Sequence, residues 1–153
     1  MEYPDNEMRE AIAVVLAFVS AMNDWEIRRY YRSRVDHGYE FTAERDSRLA
    51  GPMSADELDA QYLSLFGQYC TDRKRKYGGF PGSFSAKGRY CGISENTVVE
   101  VIRPKPARIE LICTGGEFPD QQYKFVVFKT DKGWLIDNAY TRNMKNEWDR
   151  CHL

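Results

Sequence analysis

Apolar side chains recur at Met8, Ile12, Val15, Leu16, Val19, Met22, Ile27 and Tyr30, the three-and-four spacing that lines one face of a helix. Asp5 or Asn6 can cap that helix, Glu7 and Glu10 suit its positive end, and the pattern runs out near Arg34. Residues 36–53 hold Gly38, Gly51 and Pro52 among mixed charges with little periodicity, which reads as a loop that admits short helical turns. A second stripe, Leu58, Tyr62, Leu65, Phe66 and Tyr69, follows the capping box Ser54-Ala55-Asp56-Glu57 and predicts a helix ending near Cys70.

The pattern changes after Gly78-Gly79-Phe80-Pro81-Gly82, whose turn residues cannot continue a helix. Residues 97–103, 108–114, 123–129 and 133–137 are β-branched and aromatic with partial alternation, as in half-buried strands. The connections are short: 104–106 with its two prolines, 115–120, and the tight turn Asp131-Lys132-Gly133. Such connections make sequential strands antiparallel neighbours. Helices first and a meander second is an α+β order, and it predicts one domain over residues 1–153. The simplest packing sets Ile12, Val19 and Phe66 against a sheet face carrying Val99, Val101, Ile109, Leu111, Phe125, Val127 and Ile136.

Composition narrows the function. A chain of 153 residues with 42% hydrophobic and 14% aromatic content can bury one core. Twenty-two basic against twenty-three acidic residues leave a formal charge of -1, so nothing draws the whole molecule toward phosphate backbones or anionic lipid, and neither nucleic acid nor membrane is an expected partner. The stretch 11–19 is too short to span a bilayer, and the first residues lack a basic leader, so the expected location is cytoplasmic. Cys70, Cys91, Cys113 and Cys151 are scattered, and His37 and His152 fall at no ligand spacing. Free thiols, no metal and no cofactor follow as expectations.

Two helices before a curved antiparallel sheet, ending in the hairpin Phe-Val-Val-Phe-Lys-Thr-Asp-Lys-Gly-Trp-Leu-Ile-Asp around Trp134, resemble the nuclear transport factor 2-like cone. Two narrower segments are Ala21-Met22-Asn23-Asp24-Trp25-Glu26 and Tyr69-Cys70-Thr71-Asp72-Arg73-Lys74-Arg75-Lys76-Tyr77-Gly78. With the hairpin after them, they resemble the nuclear transport factor 2-fold immunity proteins of bacterial polymorphic toxin systems. Between Phe84 and Asn96, where that family carries a Pro-Pro-Glu-Tyr-like stretch, this chain has Ala86-Lys87-Gly88-Arg89-Tyr90-Cys91. The resemblance implies a small cytoplasmic protein encoded beside a secreted toxin, often of the Rhs or contact-dependent inhibition type. Its partner would be the cognate toxin domain, bound without catalysis, with the protomer state open between monomer and homodimer.

The resemblance makes Asn23, Trp25, Glu26, Tyr69, Cys70, Arg75, Tyr77 and Trp134 family-motif positions, read as structural. Glu26 and Arg75 can form a charge-assisted bond that ties the basic loop to the first helix. Arg28, Arg29, Arg32 and Arg34 read as a solvated helix face. Asp36, Glu40, Glu44, Asp46, Asp56, Glu57 and Asp59 concentrate within a short span. They are the candidate toxin-binding carboxylates, suited to meet a basic toxin surface, and the same span also suits a solubilising loop. Similar folds house isomerases, dehydratases and ligand-binding proteins, for which Tyr30, His37, Tyr90 and Asp137 would be the acid-base candidates.

Overall fold

The computed structural model describes residues 5–36, 54–72, 87–143 and 147–150. Helix α1, Asn6–Asp36, is 31 residues long, about 46 Å at 1.5 Å per residue. Asp5 is its cap: the Met8 amide donates to Asp5 Oδ1 at 2.8 Å. Helix α2, Ala55–Tyr69, starts where the capping box places it, with Ser54 Oγ accepting from the Glu57 amide at 3.1 Å. After a short 3₁₀ turn at Glu95–Thr97 come β1 (Val98–Lys105), β2 (Arg108–Thr114), β3 (Gln122–Thr130), β4 (Gly133–Arg142) and β5 (Asp149–Arg150). They form one sheet in the order β1-β2-β3-β4-β5, every pair antiparallel. The nuclear transport factor 2-like α+β arrangement is thus present: two helices packed against a curved antiparallel sheet.

The core lies between α1 and the helix-facing side of the sheet. Ala11, Val15, Phe18, Val19, Met22 and Trp25 of α1 meet Ile109, Leu111, Phe125, Val127, Ile136 and Ala139, each at most 5% exposed. Ile12, Phe66 and Val101 pack half-buried at its edge. Period-two alternation puts the odd-numbered residues of β2 and β3 inward, and the paired register Leu111↔Phe125 and Ile109↔Val127 stacks them in rows.

Four expectations need correction. Val99 is 52% exposed and Val98 packs against the core in its place. A register shift between Val98 and Glu100 inserts Val99 as an unpaired residue and flips the alternation. Pro104 lies inside β1 instead of ending it. Its missing N–H is tolerated because β1 is an edge strand, and the ladder is irregular between Ile102 and Lys105. Strand β4 runs past Asp137 to Arg142: the pair Asp137-Asn138 marks a bulge, opposite the shift between Val126 and Val127, and Ala139 returns to the core. Lastly, Arg28, Arg29, Arg32 and Arg34 are half-buried, and Arg29 lies 3.6 Å from Asp59 of α2. The loop expected at 36–53 and the glycine-rich turn at 78–82 lie outside the described residues, apart from the helical backbone of Asp36.

One end of the molecule is tied by charge. Glu7 on the first turn of α1 accepts from Lys129 at 2.6 Å and from Arg103 at 2.8 Å. Arg103 also donates to the Pro106 carbonyl and stands over the Trp134 ring. These bonds connect the start of α1 to both hairpin ends of the sheet. Hydrogen bonds from Lys129, then Arg103, hold the Glu7 carboxyl at about 2, well below its ordinary 4.5. A carboxyl whose folded value is depressed contributes stability that is complete above 4.5 and is lost as pH falls through about 2. The Glu7→Gln variant should therefore lose less thermal stability than the wild type on acidification across that window. Unfolding midpoints measured at successive pH values check this, and parallel acid slopes in the two proteins would refute it.

Candidate functional site

The middle of α1 faces two different neighbours through one turn. Trp25 is fully buried; its Nε1–H donates to the Leu58 carbonyl at 2.7 Å, and its ring meets Tyr62 with centroids 4.8 Å apart. That contact fixes α2 beside α1. On a different face of the helix, roughly 100° or more around the axis from Trp25 at 3.6 residues per turn, Asn23 and Glu26 turn toward residues 88–90. The Tyr90 amide donates to Asn23 Oδ1 at 2.9 Å, and the Arg89 amide donates to Glu26 Oε2. A three-residue separation stacks the two side chains on one helical face, so they grip consecutive amides of the turn that begins at Gly88. Glu26 is 5% exposed, and a buried carboxylate needs such donors.

The held segment is shaped to fit. Gly88 has φ +87, and a Cβ there would lie 2.5 Å from Asn23 Oδ1; glycine meets both demands at once. Turns follow immediately, with the Cys91 amide donating to the Gly88 carbonyl and the Ile93 amide to the Tyr90 carbonyl, each at 3.2 Å. Tyr90 is 1% exposed and packs against Phe18, Tyr123 and Phe125. The Tyr123 hydroxyl donates back to the Arg89 carbonyl at 3.3 Å. On its far side the segment meets the β2–β3 loop, where the Gly116 amide donates to the Cys91 carbonyl at 2.8 Å. Thus α2, α1, residues 87–93 and the β2–β3 loop are bonded in sequence at the end of the molecule opposite Glu7.

The family-motif positions fall into two groups. Asn23, Trp25, Glu26, Tyr69, Cys70 and Trp134 are described, and all but Asn23 and Tyr69 are buried. Cys70 pairs with Ile136 in a lone parallel bridge, and the Thr71 amide donates to the Ile136 carbonyl at 2.9 Å. The chain leaves α2 along β4 in this way. Arg75 and Tyr77 lie outside the described residues, and with Arg75 the proposed pair to Glu26.

Of the candidate carboxylates, Asp56 and Glu57 are exposed on the first turn of α2, and Asp59 is half-exposed beside Arg29. Asp36 ends the backbone of α1, while Glu40, Glu44 and Asp46 lie outside the described residues.

The acid-base candidates do not converge among the described residues. Asp137 is 3% exposed, displaced by the β4 bulge onto Thr71, whose hydroxyl donates to its Oδ1 at 2.9 Å. Tyr30 lies half-buried on α1 against Tyr31, Tyr90 is enclosed by aromatic rings, and His37 lies outside the described residues. Cys113 sits in the core, where burial pushes its thiol up to about 12; a thiol held protonated is a poor nucleophile. Among the described residues no group of three or more His, Cys, Asp or Glu side chains converges as a metal site, and no helix is long and apolar enough to cross a membrane.

What sequence reading missed is the partner of Asn23 and Glu26. Those side chains hold Arg89 and Tyr90, within the stretch that departs from the family's usual residues. Gly88 marks a turn in the sequence, but nothing in its residue types names the helix that holds it.

The family model described as NTF2 fold immunity protein matches residues 10–151, taking in both helices, the clamped segment and the sheet. The chain belongs to this family of immunity proteins. No curated protein and no solved structure matches it. Membership accords with the observed fold and points to a non-enzymatic role.

The clamp makes energetic predictions. Trp25→Ala should lower stability by about 3–5 kcal/mol, as for other buried aromatic truncations. Trp25→Phe keeps most of the packing and should cost nearer 1 kcal/mol for the lost Nε1–H donor. Gly88→Ala should cost about 1–3 kcal/mol through backbone strain at positive φ alone, with the Asn23 contact added. Denaturant titrations of the three variants check these values, and wild-type stability in Gly88→Ala would show that the clamp does not form.

Proposed function

We propose that this chain neutralises a cognate bacterial toxin by binding the toxin domain directly in the cytoplasm of the producing cell. The observation that carries the reading is the family match over residues 10–151. The packing is in keeping with it: Tyr90 is buried against Phe18, Tyr123 and Phe125, and Asp137 is buried with Thr71 as a hydrogen-bond donor. The polymorphic toxin setting, of the Rhs or contact-dependent inhibition type, belongs to the same proposal, as does a single domain over the whole chain.

On this reading the carboxylates Asp36, Glu40, Glu44, Asp46, Asp56, Glu57 and Asp59 meet basic side chains on the toxin. Complementary charge accelerates encounter more than it tightens the final complex. An immunity protein has to capture its toxin before the toxin acts, so association rate is a functional property here. Asp56 and Glu57, exposed at the start of α2, are accessible for this role.

Mixed with the toxin domain encoded by the neighbouring reading frame, the protein should form a stable one-to-one complex and protect cells that express the toxin. Association should slow as salt rises. The triple variant Glu40→Lys, Glu44→Lys and Asp46→Lys should slow association by about tenfold at low salt, with its thermal unfolding midpoint measured alongside. Stopped-flow or surface-binding kinetics read this directly. An unchanged association rate in the triple variant would move the interface elsewhere, and no complex at micromolar protein would reject neutralisation by binding.

A further inference from the structure

The β2–β3 loop displays an aromatic side chain to solvent. Phe118 is 66% exposed, yet the loop that carries it is built firmly. The Gly115 amide donates to the Gln121 carbonyl at 2.9 Å, and the Gln121 amide to the Phe118 carbonyl at 3.3 Å. The Gln121 side chain closes the interior: its Oε1 accepts from the Phe118 amide, and its Nε2 donates to the Tyr123 hydroxyl and to Thr141 Oγ1. Gly116, at φ +118, leaves no room for a Cβ, which would lie 2.2 Å from Gln121 Oε1. Pro119 restricts the backbone immediately after Phe118, and Asp120 takes φ 58. The loop is bonded to Cys91, and through residues 88–90 to Asn23 and Glu26 of α1.

A phenylalanine that is 66% exposed buries little of its ring in the fold, and one held in place before binding loses little conformational freedom when it docks. Exposed aromatic anchors of this kind carry much of the energy at protein interfaces. The surroundings narrow the partner. Glu117 and Asp120 are exposed on either side of Phe118. Lys87 is the exposed base on the adjoining segment. A predominantly acidic rim around an apolar anchor complements an apolar recess bordered by basic side chains. It disfavours an anionic membrane, which the carboxylates would repel.

We infer that Phe118 is the apolar anchor of the toxin-binding surface, seated in an apolar recess of the toxin domain that Lys and Arg side chains border. The inference rests on the neutralisation reading and adds to it a second contact region, separate in sequence from the acidic span at 36–59.

The test uses the full chain and the toxin domain encoded beside it. Dissociation constants and rates are measured for the wild type, Phe118→Ala, Phe118→Leu and the pair Glu117→Gln with Asp120→Asn. Phe118→Ala should weaken binding by about tenfold or more, mainly through faster dissociation, with the thermal midpoint unchanged. Phe118→Leu should keep most of the affinity. The carboxylate pair should slow association and flatten its salt dependence. A wild-type complex that Phe118→Ala matches in affinity overturns the anchor and leaves neutralisation standing. No wild-type complex overturns neutralisation and the anchor with it. A self-associated wild type that Phe118→Ala converts to monomer, with toxin affinity unchanged, overturns the anchor in favour of a second copy of this chain.

Discussion

A carboxylate withdrawn from water has to be met by donors, and on this chain Glu26 is withdrawn almost completely. One donor is the Arg89 amide; the next amide along, that of Tyr90, goes to Asn23. Because these bonds join a helix to a segment more than sixty residues later, they cannot form until the chain between has been arranged. Trp25, between them in sequence, satisfies its own Nε1–H on α2. A single turn of α1 therefore fixes the position of α2 on one side and of residues 87–93 on the other. The β2–β3 loop then follows through the Gly116 bond to Cys91.

The two ends of α1 work differently. At its start, Glu7 is bonded to Lys129 and Arg103 on half-exposed side chains, an arrangement that salt and acid weaken and that contributes modestly. Toward its other end, side chains of α1 bond to backbone groups instead of to exposed ions, and the elements they position carry the exposed carboxylates of α2 and the displayed Phe118. A binding surface that must recognise a protein quickly gains from such support, since rigidity lowers the entropy lost on docking.

Much of this was legible in the chain. The stripe from Met8 to Tyr30, the capping box at Ser54 and the alternation in 108–114 and 123–129 each specify one element, and periodicity is a local property that sequence displays directly. The errors arose where periodicity is interrupted. The bulge at Val99 reverses which valine faces the core, and the bulge at Asp137 made a strand look finished five residues early. Both depend on pairing with another strand, which no local pattern records. The site divides in the same way. Asn23, Trp25 and Glu26 stood out as a motif; Trp25 and Glu26 are buried, Asn23 is half-buried, and all three bond to distant backbone groups. Their partner at 88–90 could not be named, because a long-range hydrogen bond to a backbone amide leaves no residue-type signature on the donor side.

Amide hydrogen exchange at Arg89 and Tyr90 tests the organising role of this turn most directly. If Asn23 and Glu26 hold the segment as part of the folded core, both amides should exchange as slowly as those of β3, through global opening. Replacing Asn23 with Ala should then speed exchange at Tyr90 far more than at Phe125. Rapid exchange of both amides in the intact protein, at the rate of an exposed loop, would contradict the account.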